Sequence, residues 1–80
     1  MLTTGNQLRA ARALVGINQI KLAALAGVNP NTISAMERRG AQTFKSSFET
    51  VCSVAAALES EGCEFSPEGV WLNLKQKSGS

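Results

Sequence analysis

The feature that most constrains this chain is an interruption of a helical pattern at the residues GVNP, positions 27–30. Glycine readily adopts the left-handed conformation that closes a helix, so the apolar pattern before Gly27 should end at Ala26. Asn29 can accept a hydrogen bond from a free amide of a new helix, and Pro30 at its first position gives up an amide that has no partner there. The sequence therefore predicts two helices joined by a very short turn.

Apolar residues at helical spacing predict two more helices, one on each side of this pair. Thr4 and Gln7 form the pattern of a capping box before the first helix, and Ser46 and Glu49 form the same pattern before the last. The predicted helices cover roughly 5–15, 19–26 and 30–38, with a fourth from the Ser46 cap to near residue 60. The stretch 39–45 shows neither the helical nor the alternating spacing of apolar residues, so it predicts an exposed loop.

After residue 62 the apolar spacing changes from helical to alternating. Phe65 precedes a Pro-Glu-Gly turn, and Val70, Leu72 and Leu74 then alternate with other residues, which predicts a short β-hairpin from about residue 63. The expected fold class is mainly α, a compact four-helix domain with a short C-terminal β-hairpin or strand. We expect one domain over residues 1–76 and a disordered tail over 77–80.

The composition argues against an enzyme. The chain has no histidine, which is the commonest general base, and no phosphate-binding Gly-rich loop, HExxH or nucleophile-elbow pattern. Cys52 and Cys63 are expected to be buried free thiols, and no metal site or cofactor is predicted. No apolar run reaches the roughly 18 residues of a membrane span, and the start lacks the apolar core of a signal peptide. We therefore expect a cytoplasmic protein that does not interact with membranes.

The charge of the chain is unevenly distributed. Residues 1–45 contain six Lys and Arg and one Glu, a net charge of +5, whereas residues 46–80 have a net charge of −3. A basic half that holds the predicted helix pair favours a polyanionic partner. The alternative interpretation of this asymmetry is ordinary surface charge.

Twenty residues from Gln19 onward, QIKLAALAGVNPNTISAMER, have a spacing that narrows the fold further. A small residue, Ala23, stands at the fifth position, and Gly27 stands at the ninth, where a turn is needed. Positions four, eight, ten, fifteen and eighteen are apolar: Leu22, Ala26, Val28, Ile33 and Met36. This segment resembles the helix-turn-helix of the Cro and phage-repressor family, and the resemblance covers roughly residues 5–60. It implies a repressor-like fold, although the hairpin lies outside the family's five-helix pattern.

The resemblance also implies which residues meet DNA. Positions that face bases in the family are occupied here by Pro30, Asn31, Ser34 and Ala35. Asn can pair with adenine and the Ala methyl can touch thymine, whereas Pro30 replaces a polar base reader. Expected phosphate contacts are Gln19, Thr32, Arg38, Arg39, Thr43, Lys45 and Ser46. The competing interpretations are local capping for Thr32 and a solvated charge for Arg38.

Two further sets of residues receive structural roles. Arg12 and Glu37 match an arginine and a glutamate that form an ion pair in the family, and we expect the same pair here. A dimer interface is predicted in the apolar hairpin, at Phe65, Val70, Trp71 and Leu72. The alternative is that the hairpin covers the helical core of its own chain.

The resemblance implies a sequence-specific DNA-binding transcriptional regulator. Such a protein would bind an inverted-repeat operator as a homodimer, in the major groove of double-stranded DNA, and would repress by promoter occlusion. The sequence does not choose between repression and activation, and nothing in it resembles a domain that senses a small-molecule ligand. The alternative class is a protein-binding helix-turn-helix module, an antitoxin or anti-activator whose hairpin captures a partner.

Overall fold

The structure, a computed structural model, describes residues 2–44, 46–66 and 69–72. Four helices are followed by a hairpin: α1 Gly5–Val15, α2 Gln19–Ala26, α3 Pro30–Arg38, α4 Phe48–Ser60, β1 Cys63–Ser66 and β2 Gly69–Leu72. The strands are antiparallel, with Cys63 opposite Leu72 and Phe65 opposite Val70. The predicted fold class and the bounds of the first three helices are confirmed. Leu74, the centre of the Pro-Glu-Gly turn and the predicted tail lie outside the described residues.

The first three helices begin and end at the residues that the sequence indicated. The Thr4 hydroxyl oxygen accepts from the amide of Gln7 at 3.2 Å, and the amide of Thr4 donates to Gln7 Oε1 at 3.1 Å, which completes the predicted capping box. Asn18 caps α2 through Lys21, whose amide donates to Asn18 Oδ1 at 2.8 Å. Gly27 closes α2 with a φ of 71°, a conformation that costs other residues free energy.

The predicted start of α4 is wrong by one residue. Ser47 is the N-cap, and its hydroxyl oxygen accepts from the amide of Thr50 at 3.2 Å, so Ser46 and Glu49 form no capping box. Either of the two adjacent serines can cap a helix, and the spacing of Ser46 and Glu49 favoured the wrong one. The preceding loop is fixed by a long-range hydrogen bond from the amide of Phe44 to the Thr3 carbonyl at 3.1 Å, which the local pattern does not contain.

All four helices contribute to the core. The helix α2 packs against α3 and α4, and α1 packs against α3. The buried apolar side chains include Leu8, Leu22, Ile33, Val54 and Leu58. Cys63 is buried as expected, but the expectation for Cys52 is wrong because this residue of α4 is only half-buried. No helix in the described part of the chain is both long and apolar enough to cross a membrane.

The segment before α1 ties the start of the chain to the end of α3. Thr4 and Thr43 form an isolated antiparallel bridge, and the amide of Asn6 donates to the Gly40 carbonyl at 2.8 Å. Gly5 lies so close to α3 that a Cβ on it would stand 2.4 Å from the carbonyl oxygen of Met36. These contacts hold the loop after α3 against the first turn of α1.

The hairpin packs on α1 and α4 of its own chain. Phe65 and Val70, which are paired across the strands, are partly buried against the helical core. Leu72 is half-buried, and the backbone of Trp71 lies in β2, while its side chain is outside the described part of the structure. Part of the apolar surface of the hairpin is therefore buried against the helices of its own chain.

Candidate nucleic-acid interface

The helix α3 has a buried face and an outer face. Ile33, Met36 and Glu37 are buried against the rest of the domain. Since an α-helix has about 3.6 residues per turn, residues spaced by three, four and seven share a face. The opposite face therefore presents a stripe, which we call the outer stripe of α3, consisting of Asn31, Ser34, Ala35 and Arg38. Asn31, Ala35 and Arg38 are exposed, and Ser34 is half-buried.

The amino end of α3 keeps its polar side chains available. Asn29 Oδ1 accepts from the amide of Asn31 at 2.8 Å, so capping uses the side chain of Asn29 and leaves that of Asn31 exposed. Pro30 is exposed at the first helical position. Thr32 is half-buried, and its amide donates to the Asn29 carbonyl at 2.9 Å. The first turn of α3 can therefore approach a ligand without losing its cap.

A buried carboxylate connects α3 to α1 and α2. The side chain of Glu37 is 3% exposed, and that of Arg12 is 21% exposed. Arg12 Nε donates to Glu37 Oε2 at 2.7 Å and Arg12 Nη2 donates to Oε1 at 3.1 Å, which is the bidentate geometry that suits a guanidinium. Arg12 Nη1 also donates to the Ile17 carbonyl at 3.1 Å. The ion pair expected from the family resemblance is thus present, and it joins three segments.

The protonation of Glu37 depends on this network. Burial by itself would raise the pKa of the Glu37 carboxyl, but hydrogen bonds from Arg12 and Gln19 and the positive charges of Arg12 and Arg9 outweigh it. The pKa of Glu37 is therefore lowered from its usual value. A carboxyl with a lowered pKa in the folded state stabilises that state above its unfolded-state pKa.

We expect the free energy of unfolding to fall as pH decreases below about 4.3, the ordinary pKa of Glu. In that range the unfolded chain takes up a proton that folded Glu37 accepts only at lower pH, so protonation favours unfolding. Denaturant titrations across this range, repeated on Glu37→Gln, check the effect. The variant should lose stability at neutral pH and show a shallower decline in acid, whereas identical slopes would contradict the assignment.

Two further side chains, one from α1 and one from the first residue of α2, converge on one oxygen of this carboxylate. Gln19 Nε2 donates to Glu37 Oε1 at 3.1 Å, and Arg9 Nε lies 3.7 Å from the same atom. Gln19, an expected phosphate contact, is therefore held by the buried acid. The side chain of Arg9 is 63% exposed, and the sequence alone predicted no role for it. The sequence feature that could have indicated this role is the position of Arg9 one turn before Arg12 on the same helix.

The loop after α3 carries the remaining expected phosphate contacts. Arg39, a half-buried residue, donates from Nε to the Thr43 carbonyl at 3.1 Å, which leaves its two terminal nitrogens for other partners. Thr43 is exposed and Ser46 is half-buried. Lys45 lies outside the described residues. Arg39 therefore stabilises the loop, whereas the sequence predicted only a phosphate contact for it.

An open apolar groove lies beside this loop. It has a volume of about 350 Å³ and is lined by Leu2, Thr3, Thr43, Phe44, Ser46, Phe48 and Val51. Phe48, at the first residue of α4, is 79% exposed. Within the described residues, no group of three acidic, Cys or His side chains is placed to hold a metal ion. The groove is apolar, so it suits a protein surface better than a polyanion.

Comparison with known proteins places this arrangement in a family. A family model described as helix-turn-helix matches residues 8–65, which is more than half of the chain. That span begins in α1 and ends in β1, so it includes the helix pair α2 and α3 and the carboxylate of Glu37. A search of curated proteins found no match. The chain belongs to the Cro/C1-type helix-turn-helix family of DNA-binding regulators.

Proposed function

We propose that this protein is a sequence-specific transcriptional regulator that binds an inverted-repeat operator as a homodimer and represses by occluding a promoter. The observation that carries the proposal is the outer stripe of α3, which exposes Asn31, Ala35 and Arg38 on a helix whose other face is buried. A helix presented in this way fits the major groove, where side chains distinguish all four base pairs.

Two groups of candidate phosphate contacts, one on α1 and α2 and one on the loop after α3, favour the same orientation. Gln19 is the first residue of α2, where free helix amides favour anions, and the exposed side chain of Arg9 on α1 lies near the same Glu37 oxygen as Gln19. Arg39 and Thr43 lie on the loop after α3. Because phosphate contacts set the register of a protein on the duplex, two such groups around one helix would fix how it enters the groove.

Selection of binding sites from a random duplex library tests this proposal. The purified chain should enrich one inverted repeat whose half-sites have centres about 34 Å apart, one turn of DNA. Affinity for that repeat should fall steeply as salt rises, because phosphate contacts release counterions. A chain that enriches no duplex even at low salt would instead favour the protein-binding class, for which the groove at Phe48 is an available surface.

Asn31→Ala should weaken binding to the selected operator by about 1–3 kcal/mol and relax the preference at one base pair, because a bidentate amide contact to adenine is lost. Arg39→Ala should weaken operator and scrambled duplexes alike, since a phosphate contact carries no sequence information. Fluorescence titrations on both duplexes measure these effects. If Asn31→Ala retains full discrimination, the assignment of its side chain to a base is wrong.

The homodimer interface is proposed in the hairpin. Phe65 and Val70 already pack on the helices of their own chain, so the proposed contact narrows to Trp71 and Leu72. Phe48 offers a competing surface, because it is 79% exposed at the opposite end of α4. The helix α4, which leads from Phe48 to the residues before β1, is about 18 Å long at 1.5 Å per residue.

Truncation of each aromatic residue distinguishes these surfaces. We expect Trp71→Ala to sediment as a folded monomer with weak operator binding, and Phe48→Ala, the matched control, to remain a dimer. Sedimentation with circular dichroism gives both readouts. A monomeric Phe48→Ala would move the interface to the groove, and an unfolded Trp71→Ala would show that the hairpin serves only the core of its own chain.

A further inference from the structure

We infer that Arg38 reads a guanine in the operator and that Ser34 holds its guanidinium in position to do so. The inference rests on the proposed function, and it makes Arg38 a residue that determines which operator sequence the protein prefers. The sequence alone suggested a phosphate contact or a solvated charge for Arg38. The placement of its side chain favours the major groove.

Arg38 lies on the same side of α3 as Asn31. Seven residues separate the two, which is close to two full turns at about 3.6 residues per turn. Arg39 is one residue further on and half-buried, and its Nε is bound to the Thr43 carbonyl beside α3. Of the two neighbouring arginines, only Arg38 therefore continues the outer stripe.

Ser34 restricts the position of this arginine. Arg38 Nη1 donates to Ser34 Oγ at 2.9 Å, across one turn of the helix. The bond draws the guanidinium back along the stripe, towards the residues expected to face bases. A guanidinium has five N–H donors, so one bond to Ser34 leaves the fork of Nε and Nη2 intact for a second partner.

No acid in the described part of the chain neutralises Arg38. The neighbouring carboxylate, Glu37, lies on the buried face and is occupied by Arg12, Arg9 and Gln19. The charge of Arg38 is therefore available to a ligand. The planar fork of an arginine matches O6 and N7 of guanine, which is the commonest specific contact in the major groove.

The spacing along α3 predicts where the guanine lies. Asn31 and Arg38 are about 10 Å apart along the helix axis at 1.5 Å per residue. The bond to Ser34 draws the guanidinium back along the helix, so its distance from Asn31 is shorter than this backbone spacing. In each half-site, the required guanine should therefore be a separate base pair within a few steps of the base read by Asn31.

The test uses the full chain and the operator that selection identifies, with three variants. Arg38→Lys keeps the positive charge but loses the fork, so it should bind scrambled duplex like the parent chain and lose about 10-fold or more on the operator. Ser34→Ala should lose discrimination at the same base pair, and Ser34→Thr, which keeps the hydroxyl, should restore it. Arg39→Ala is the control for a phosphate contact.

A modified base provides an independent readout. Replacing the guanine by 7-deazaguanine removes the N7 acceptor, so it should weaken binding by the parent chain and leave Arg38→Ala unaffected. Equal losses on all duplexes for Arg38→Ala, or full retention of discrimination by Arg38→Lys, would overturn the inference while leaving the regulator function standing. If the parent chain prefers no duplex, the proposed function fails and the inference fails with it.

Discussion

Arg12→Ala should destabilise the domain by roughly 3–5 kcal/mol, the range for breaking one side of a buried ion pair. The variant leaves the Glu37 carboxylate, which is 3% exposed, without its bidentate partner, and leaves the Ile17 carbonyl without a donor. Removing the acid should cost less, because Arg12 is 21% exposed and can turn towards water when Glu37 is gone. Denaturant unfolding followed by circular dichroism measures both values.

A double-mutant cycle isolates the pair. Arg12→Ala combined with Glu37→Ala should cost clearly less than the sum of the single variants, because the second substitution removes the charge that the first left buried. Acid adds a second check, because Arg12→Ala removes the largest interaction that lowers the pKa of Glu37, so the variant should lose less stability than the parent chain as pH falls. Additive losses below one kilocalorie would show that both side chains are solvated.

Gly5→Ala should cost on the order of 3 kcal/mol, at the upper end of the range for overpacking. The added methyl group would stand 2.4 Å from the Met36 carbonyl oxygen, 2.7 Å from that of Glu37 and 2.8 Å from the Gly40 amide nitrogen. All three are backbone atoms, which cannot move aside as a flexible side chain can. The loss is expected even though alanine favours helices more than glycine by up to about 1 kcal/mol. Thermal or denaturant unfolding detects it.

Gly16→Ala is the matched control, since it adds the same methyl group at the other end of α1. Nothing lies within 4 Å of that position, but the backbone φ of 73° is left-handed, so the cost should be about 1–2 kcal/mol from strain alone. Gly5→Ala should also weaken operator binding, because it displaces the loop after α3, whereas Gly16→Ala should not. Equal stability losses without any difference in DNA affinity would contradict this interpretation of Gly5.

Local chemistry explains why much of the helical architecture could be predicted from the sequence. Gly27, Asn29 and Pro30 each act within one turn of their own position, so their meaning does not depend on the rest of the fold. The change from helical to alternating spacing after residue 62 likewise marks the hairpin. The pairing of Arg12 with Glu37 is different, because only the family resemblance connected residues on separate helices.

The features that the sequence missed depend on contacts between distant segments. The cap of α4 is Ser47 instead of Ser46, downstream of a loop that Phe44 ties to Thr3. Arg9 joined the network only because α1 places it beside Glu37. The role of Gly5 was invisible because its neighbours in space, at residues 36–40, come from the end of α3 and the loop after it. No periodicity or capping rule contains such information.

Because α3 has a buried face and an outer face, the residues that would read DNA are different from those that hold the helix in the fold. Asn31, Ala35 and Arg38 are exposed, so substituting them should change the free energy of unfolding by only about 0.5 kcal/mol in either direction. A library that varies these three positions without proline or glycine, which disfavour a helix, should therefore consist almost wholly of folded proteins. New operator preferences can be selected from it without rebuilding the scaffold, and a natural lineage could exchange operators by the same few substitutions.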